Sequence, residues 1–193
     1  MVMKTFIAFI ATMLVAVIAH SQAFNTITLT NVVDNKEYNL AKEIGAKPMV
    51  IVFYSNKCAY SEYYIDRIKS LNNEFSNQGV GFLFVNANNG SLVSEENPEG
   101  MIKYSVNKTL GIPYLADKDK QLKNYLKASR TPEVFLLTLE GESLKTVYKG
   151  AIDDSPQSIG DVRHQYLRDA IISLLNNTNQ PVSQTRPVGC LIR

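Results

Sequence analysis

The chain has few of the side chains that hold metal ions or carry out hydrolysis. Its 193 residues include only two cysteines, Cys58 and Cys190, and two histidines, His20 and His164. A Cys/His hydrolase needs a histidine beside Cys58 together with an orienting acid. The helix predicted around His164 turns its apolar stripe elsewhere and leaves this histidine among polar neighbours. Two cysteines and one distant histidine also lack the close spacing of metal ligands. The sequence therefore indicates neither a hydrolase nor a metal site, and no other cofactor.

Clustered positive charge is absent as well. The chain has 20 Lys and Arg against 18 Asp and Glu, a formal net charge of +2. The basic residues are scattered along the sequence, whereas nucleic-acid-binding surfaces gather them to follow the phosphates. A nucleic acid is therefore not an expected partner.

The longest apolar run is too short for a membrane span. It covers residues 6–19 and follows Lys4, while a spanning helix needs about 20 apolar residues. A basic residue, a short apolar run and small residues at a cleavage site are typical of a secretory signal peptide. We predict that residues 1–21 are removed, leaving Gln22 first, or Phe24 in the alternative reading. The mature protein is then periplasmic or extracellular, does not contact the membrane, and keeps both cysteines where disulfides persist.

Hydrophobic patterning divides the rest into one domain at residues 22–178 and a polar tail at 179–193. Continuous apolar runs at 49–54 and 80–85 are typical of strands buried on both faces. Apolar spacings and capping residues predict helices at 61–78, 98–110, 121–128 and 161–176. Shorter strands are predicted at 27–30, 36–40, 112–115, 133–139 and 144–150. This order predicts a three-layer α/β domain around a mixed sheet, with a hairpin at its N-terminus.

Cys58 lies where a predicted strand leads into a predicted helix. Unpaired N–H groups and the dipole of a helix N-terminus stabilise a thiolate, and Lys57 adds a neighbouring positive charge. Glu62 acts in the opposite direction if its carboxylate lies near the sulfur. Two interpretations remain open at this point, an activated thiol and a buried structural cysteine.

Residues 53–61 (FYSNKCAYS) resemble the thioredoxin-superfamily active site, an apolar strand followed by Cys-x-x-Cys at the start of a helix. Ser61 takes the place of the second cysteine. Thr131 and Pro132 resemble the cis-proline loop of that family, in which the residue before the proline faces the active-site sulfur. The likeness extends to the peroxiredoxin-like redoxin-domain proteins related to alkyl hydroperoxide reductase and thiol-specific antioxidant. The additional matching segments are 97–101 (NPEGM), 148–155 (YKGAIDDS) and 185–190 (TRPVGC).

The resemblance implies a thioredoxin-like fold with thiol chemistry at Cys58. Lys57 and the helix N-terminus would activate the sulfur, while Thr131, Pro132 and Tyr60 would form the substrate groove. The implied partners are a protein or small-molecule disulfide, a thiol or an oxidant, with a thioredoxin-like protein as external reductant. No cofactor is implied.

Three departures from the family patterns set limits on the chemistry. A peroxiredoxin has Pro-x-x-x-Thr/Ser-x-x-Cys, but Ile51 stands where the proline is required and only Ser55 fits. The peroxidatic sulfur corresponds to Ser61, and the buried acid of thioredoxins corresponds to Val52. We therefore expect weak or no peroxidase activity.

The sequence leaves the role of Cys190 open. A single thiol at Cys58 needs another thiol to resolve a mixed disulfide, and Cys190 is the one internal candidate. The pair could instead form a static staple, or the two cysteines could never meet. The tail carries Pro181 and Pro187 but few apolar anchors, which favours a mobile arm and a readily reduced bond. The main prediction is an exported thiol–disulfide oxidoreductase or redoxin-type antioxidant; the alternative is a non-enzymatic binding module with structural or inert cysteines.

Overall fold

The structure, a computed structural model, describes residues 24–88 and 90–193. The signal peptide predicted at residues 1–21 lies outside the described residues. Within them, no helix combines the length and the apolar character that crossing a membrane would require.

The described residues include nine strands and five complete α-helices. The strands are β1 (Thr28–Asn31), β2 (Glu37–Asn39), β3 (Met49–Phe53), β4 (Gly81–Asn86), β5 (Tyr114–Ala116), β6 (Arg130–Thr131), β7 (Glu133–Glu140), β8 (Ser143–Gly150) and β9 (Cys190–Leu191). The helices are α1 (Leu40–Ala46), α2 (Ala59–Phe75), α3 (Pro98–Asn107), α4 (Gln121–Leu126) and α5 (Tyr166–Leu175).

Seven of the strands form one mixed sheet in the order β2-β1-β5-β4-β3-β7-β8. The central strand β3 pairs in parallel with β4 and antiparallel with β7. Because β3 has neighbours and helices on all sides, every residue of it is buried, as its continuous apolar run predicts. The remaining strands, β6 and β9, form a separate antiparallel pair.

The two faces of the sheet carry two separate hydrophobic clusters. Alternate side chains of β3 point to opposite faces, so Val50 and Val52 join one cluster while Ile51 and Phe53 join the other. Helices α2, α3 and α5 cover the first face, and α1 and α4 cover the second. The predicted three-layer α/β architecture is confirmed, and it is the thioredoxin-like fold.

Most predicted elements are present with ends shifted by a few residues. Helix α2 begins two residues before its predicted start and passes into a 3₁₀ turn at Ser76–Gln78. Gly79, with φ of 84°, ends it. Helix α3 is capped by Asn97, whose side chain accepts the Gly100 N–H at 2.8 Å, as the sequence predicts. The N-terminal hairpin is also present, with Thr28 opposite Asn39.

Two predictions of secondary structure are wrong. Helix α5 starts at Tyr166 rather than near residue 161, because the Asp154 carboxylate accepts the backbone N–H groups of Arg163 and His164 at 2.9 and 3.0 Å and holds them in a loop. The sequence pattern does not predict helix α1 and places Leu40 in a strand instead. The signal for α1 is Asn39, which caps it by accepting the Lys42 N–H at 3.0 Å.

Candidate active site

Cys58 occupies the N-cap of α2, immediately after the buried strand β3 and a short turn. The turn is closed by the Cys58 N–H, which donates to the Ser55 carbonyl at 3.4 Å. No side chain caps this helix end, so the first-turn N–H groups and the positive end of the dipole lie at the cysteine. The predicted strand-to-helix junction is confirmed, and Cys58 is only 2% exposed there.

A disulfide joins Cys58 to Cys190, with Cα atoms 5.9 Å apart and a separation of 132 positions in sequence. Of the alternatives that the sequence leaves open, this excludes the one in which the two cysteines never meet. The bond seats the tail strand β9 beside the cis-proline loop, since Cys190 pairs with Thr131 and Leu191 pairs with Arg130.

Thr131 lies directly against the sulfur. Its carbonyl oxygen is 3.0 Å from Cys58 Sγ, and the peptide bond to Pro132 is cis. The residue before the cis-proline thus faces the Cys58 sulfur, which is the position that the resemblance implies for it. In the reduced protein this carbonyl can accept a hydrogen bond from the Cys58 thiol, which favours the neutral thiol and opposes the effect of the helix N-terminus.

Hydrogen bonds hold the tail in place along its length. Thr185 Oγ1 contacts the Tyr148 hydroxyl and accepts the Ala151 N–H at 2.9 Å. Nearer the disulfide, the Arg130 guanidinium donates to the Gly189 carbonyl at 2.7 Å, and the Ile192 N–H donates to the Ser129 carbonyl at 3.1 Å. The sequence predicts a mobile arm because the tail has few apolar anchors, and Val188 and Leu191 are indeed exposed. In this oxidised state the contacts of the tail are polar instead.

The charged neighbours of Cys58 are engaged with other partners. Lys57 Nζ lies 2.9 Å from Glu95 Oε1, and this hydrogen bond raises the pKa of Lys57 and lowers that of Glu95 to about 2. Burial opposes ionisation of Glu62, but hydrogen bonds from Lys108 and Tyr104 prevail and lower its pKa. Lys57 therefore offers a partly neutralised charge, and Glu62 is held in an ion pair of its own.

The remaining predicted site residues surround the first turn of α2. Ser61 is fully buried, and its hydroxyl accepts the Ser55 N–H at 3.3 Å. Tyr60 is half-buried and meets the ring of Tyr63 edge to face, with centroids 6.1 Å apart. Because Tyr63 is 48% exposed, this aromatic pair forms an accessible surface beside the cysteine.

Sequence reasoning missed Glu96, a buried carboxylate beneath the turn that precedes Cys58. It is 5% exposed and comes from the 3₁₀ turn Ser94–Glu96. Oε1 accepts the Ser55 hydroxyl and the Lys57 N–H at 3.1 Å, and Oε2 accepts the Asn56 N–H at 3.3 Å and the Asn86 side-chain amide. The Glu96 carboxylate thus accepts four hydrogen bonds, three of them from the turn at residues 55–57. We call it the clamp of this turn, because these charge-assisted bonds fix its conformation.

Replacing Glu96 with alanine is expected to lower the free energy of unfolding by at least about 2 kcal/mol, because buried N–H donors lose their acceptor. Urea unfolding of the oxidised protein measures it. Glu95→Ala is the matched control, since its carboxylate is 51% exposed and serves only the surface; its unfolding midpoint should stay unchanged. Equal midpoints for the two variants would contradict the clamp.

His164 does not join the site. It is exposed and stacks on Tyr166, with ring centroids 5.7 Å apart and planes inclined by 10°. The groups assembled at Cys58 are a second sulfur, a carbonyl, a helix N-terminus and an edge of backbone. This set can exchange sulfur–sulfur bonds.

Comparisons with known proteins identify the family and the fold. The model of the AhpC/TSA family matches residues 21–148. No curated protein matches the sequence significantly. An uncharacterized conserved protein from Geobacillus kaustophilus, solved by crystallography, is 29% identical with a TM-score of 0.78, and the match covers 86% of this chain and 87% of that one.

Two more distant solved structures share the fold. A secreted Mycobacterium tuberculosis disulfide oxidoreductase is 15% identical with a TM-score of 0.51, over 65% of this chain and 84% of that one. Peroxiredoxin Q from Xanthomonas campestris is 15% identical with a TM-score of 0.55, over 81% of this chain and 93% of that one.

Proposed function

Since the chain belongs to the AhpC/TSA family, we propose that it is a thiol–disulfide oxidoreductase with Cys58 as nucleophile and Cys190 as resolving thiol. The observation that carries the proposal is the Cys58–Cys190 disulfide, which joins the N-cap of α2 to a strand on the cis-proline loop. A pair placed there can hold two electrons and release them.

The cycle begins with the reduced protein. The Cys58 thiolate attacks one sulfur of a substrate disulfide, a mixed disulfide forms, and the other substrate sulfur leaves as a thiolate and takes up a proton. Cys190, as a thiolate, then attacks Cys58 Sγ. The mixed disulfide breaks, the second substrate sulfur leaves, and the Cys58–Cys190 bond forms. The substrate has gained two electrons. An external dithiol protein of the thioredoxin type then reduces the Cys58–Cys190 disulfide with two electrons of its own and restores both thiols.

The site residues have distinct parts in this cycle. The N-terminus of α2 stabilises the Cys58 thiolate. The positive charge of Lys57 adds a weaker stabilisation, because the ion pair with Glu95 partly neutralises it. Thr131 and Pro132 line the groove in which a substrate sulfur approaches, and Tyr60 extends it. Ser61 supports the turn through its bond to the Ser55 N–H and carries no sulfur to take part.

The reduced protein is expected to react with a small disulfide faster than with hydrogen peroxide. Ile51 and Ser61 stand where a peroxiredoxin has its proline and its peroxidatic cysteine, so the groups that activate a peroxide O–O bond are missing from the expected positions. Stopped-flow measurement of Cys58 oxidation by each reagent at equal concentration tests this. The Cys58→Ser variant supplies the blank, and a faster reaction with peroxide would overturn the assignment.

We also propose that the protein works after export, in the periplasm or outside the cell. The basic residue and apolar run at the start of the sequence support this, as does the structural neighbour from M. tuberculosis, which is a secreted protein. N-terminal sequencing of exported material should find Gln22 or Phe24 first. Soluble protein that keeps Met1 would contradict export.

A second candidate is the binding module with a structural disulfide. Burial of Cys58 favours it, because a disulfide spanning 132 residues in sequence stabilises a fold whether or not it exchanges. The two candidates differ in whether Cys58 forms mixed disulfides that Cys190 then resolves.

A further inference from the structure

The tail occupies the edge of the strand that borders the active-site sulfur. Residues 190–191 run antiparallel to β6, with Cys190 opposite Thr131 and Leu191 opposite Arg130. The Arg130 side chain adds a hydrogen bond of 2.7 Å to the carbonyl of Gly189. These contacts use mostly backbone groups, so they hold an extended segment with little regard to its side chains.

One position of the tail has no room for a side chain. A Cβ on Gly189 would lie 2.1 Å from the Thr131 carbonyl oxygen, 2.7 Å from its carbonyl carbon and 3.1 Å from Pro132 N. All three are backbone atoms, which cannot rotate away as the end of a flexible side chain can. The residue before the paired cysteine must therefore be glycine if the segment is to sit in this register.

The docked tail also leaves one polar group unsatisfied. The Thr131 hydroxyl, in a residue 1% exposed, has no hydrogen-bond partner among the described residues. A buried hydroxyl without a partner is unfavourable. Thr131, which contacts the Cys58 sulfur through its carbonyl and pairs with Cys190 through its backbone, thus retains one unused hydrogen-bonding group.

We propose that residues 189–191 act as a built-in pseudosubstrate, and that the same edge of β6 accepts an extended cysteine-bearing segment of a partner protein with glycine immediately before the cysteine. The proposal rests on the proposed function, because it concerns the same sulfur exchange. It adds a selection rule at the position of Gly189, imposed by the backbone of Thr131 and Pro132.

Because the partner segment and the tail bind the same edge of β6, resolving the mixed disulfide also releases the partner. While a partner segment is joined to Cys58 by a mixed disulfide, it holds the edge that the tail needs. When the Cys190 thiolate attacks Cys58 Sγ, the tail takes that edge, the mixed disulfide breaks, and the partner leaves with a free thiol. The same strand pairing therefore completes the electron transfer and expels the product.

Synthetic peptides test the selection rule. The protein is the full chain with Gly189→Ala and Cys190→Ser, in which the tail offers no thiol and cannot seat closely. The probe is the nonapeptide TRPVGCLIR, its cysteine carrying an aromatic thiol leaving group, and the comparison peptide has alanine in place of glycine. Attack by Cys58 on the peptide sulfur forms the mixed disulfide and releases the aromatic thiolate, whose absorbance gives the rate.

The glycine peptide is expected to react about 10- to 100-fold faster, the range that follows from forcing a methyl group into a closely packed site. Equal rates for the two peptides, together with a normal reaction with a small aromatic disulfide, would overturn the selection rule and leave the proposed function standing. Failure to react even with the small disulfide would remove the proposed function itself.

The intact chain provides a second readout. With Cys190 present, Gly189→Ala should lower the equilibrium constant for forming the Cys58–Cys190 bond in glutathione buffers by a similar 10- to 100-fold. Gly160→Ala is the matched control, because a Cβ there meets only Ser158 Oγ at 3.9 Å, and it should leave the constant unchanged. An unchanged constant for Gly189→Ala would contradict the crowding on which the rule depends.

Discussion

Replacing Cys190 with serine is expected to stop turnover and to trap the substrate as a mixed disulfide on Cys58. The Cys190→Ser variant should accumulate a stable mixed disulfide at Cys58, because no internal thiol can displace the substrate sulfur. A tethered thiol acts at an effective concentration of about 1 mM. With external thiol supplied at about 10 µM, turnover should therefore fall by about 100-fold. Intact mass measures the adduct, and a coupled assay of substrate reduction measures the turnover.

Cys58→Ser is the control for the trap, and it should form no adduct at all. Equilibration of the unmodified protein in glutathione buffers separates the two candidate functions further. Catalytic pairs have reduction potentials of about −120 to −270 mV, whereas structural disulfides lie below about −300 mV. Unchanged turnover in Cys190→Ser would show that Cys190 does not resolve the intermediate. A bond that stays oxidised throughout that range would favour the structural staple.

The second large effect is expected on stability, from Arg67→Ala in the middle of α2. Arg67 Nη1 lies 2.6 Å from Asp153 Oδ2, and the two side chains are 12% and 6% exposed. The Tyr64 hydroxyl donates to the same carboxylate at 2.7 Å. Removing the guanidinium leaves Asp153 buried and without its cation, which costs about 3–5 kcal/mol. Urea unfolding at neutral pH measures the loss.

Arg168→Ala is the matched control for Arg67. Its ion pair with Glu74 is exposed, with side chains 38% and 36% accessible, and such pairs contribute no more than about 1 kcal/mol. Similar losses in the two variants would mean that the Arg67 pair is as well solvated as a surface pair. Because Arg67 also donates to the carbonyls of Ser155 and Pro156, its loss should loosen the contact between α2 and the loop before α5.

The sequence predicts the layers of this fold well, because burial repeats along the chain. The spacing of Tyr64, Ile65, Ile68 and Phe75 locates α2, and all four side chains are buried. The start of α5 could not be found in this way. It depends on Asp154, which captures backbone N–H groups about ten residues further along the chain.

The site shows the same division between local and distant signals. The strand-to-helix junction and the resemblance locate Cys58, Thr131 and Pro132, because each belongs to a short local pattern. Glu96 carries no such pattern. It lies about 40 residues after the turn it holds, in a polar stretch with no periodicity, and only the folded chain brings the two together. The pairing of Cys58 with Cys190 likewise depends on tail contacts that are polar rather than apolar.

The way Glu96 holds the turn has a consequence for how this site can change in evolution. The Glu96 carboxylate accepts a hydrogen bond from the backbone N–H of residue 57 and does not contact its side chain. The Lys57 side chain is 56% exposed and forms its ion pair with Glu95 at the surface. A mutation there can reverse the local charge while the loop keeps its shape. Residue 57 is thus a position at which drift or selection can adjust the reactivity of Cys58 in small steps, with the fold left intact.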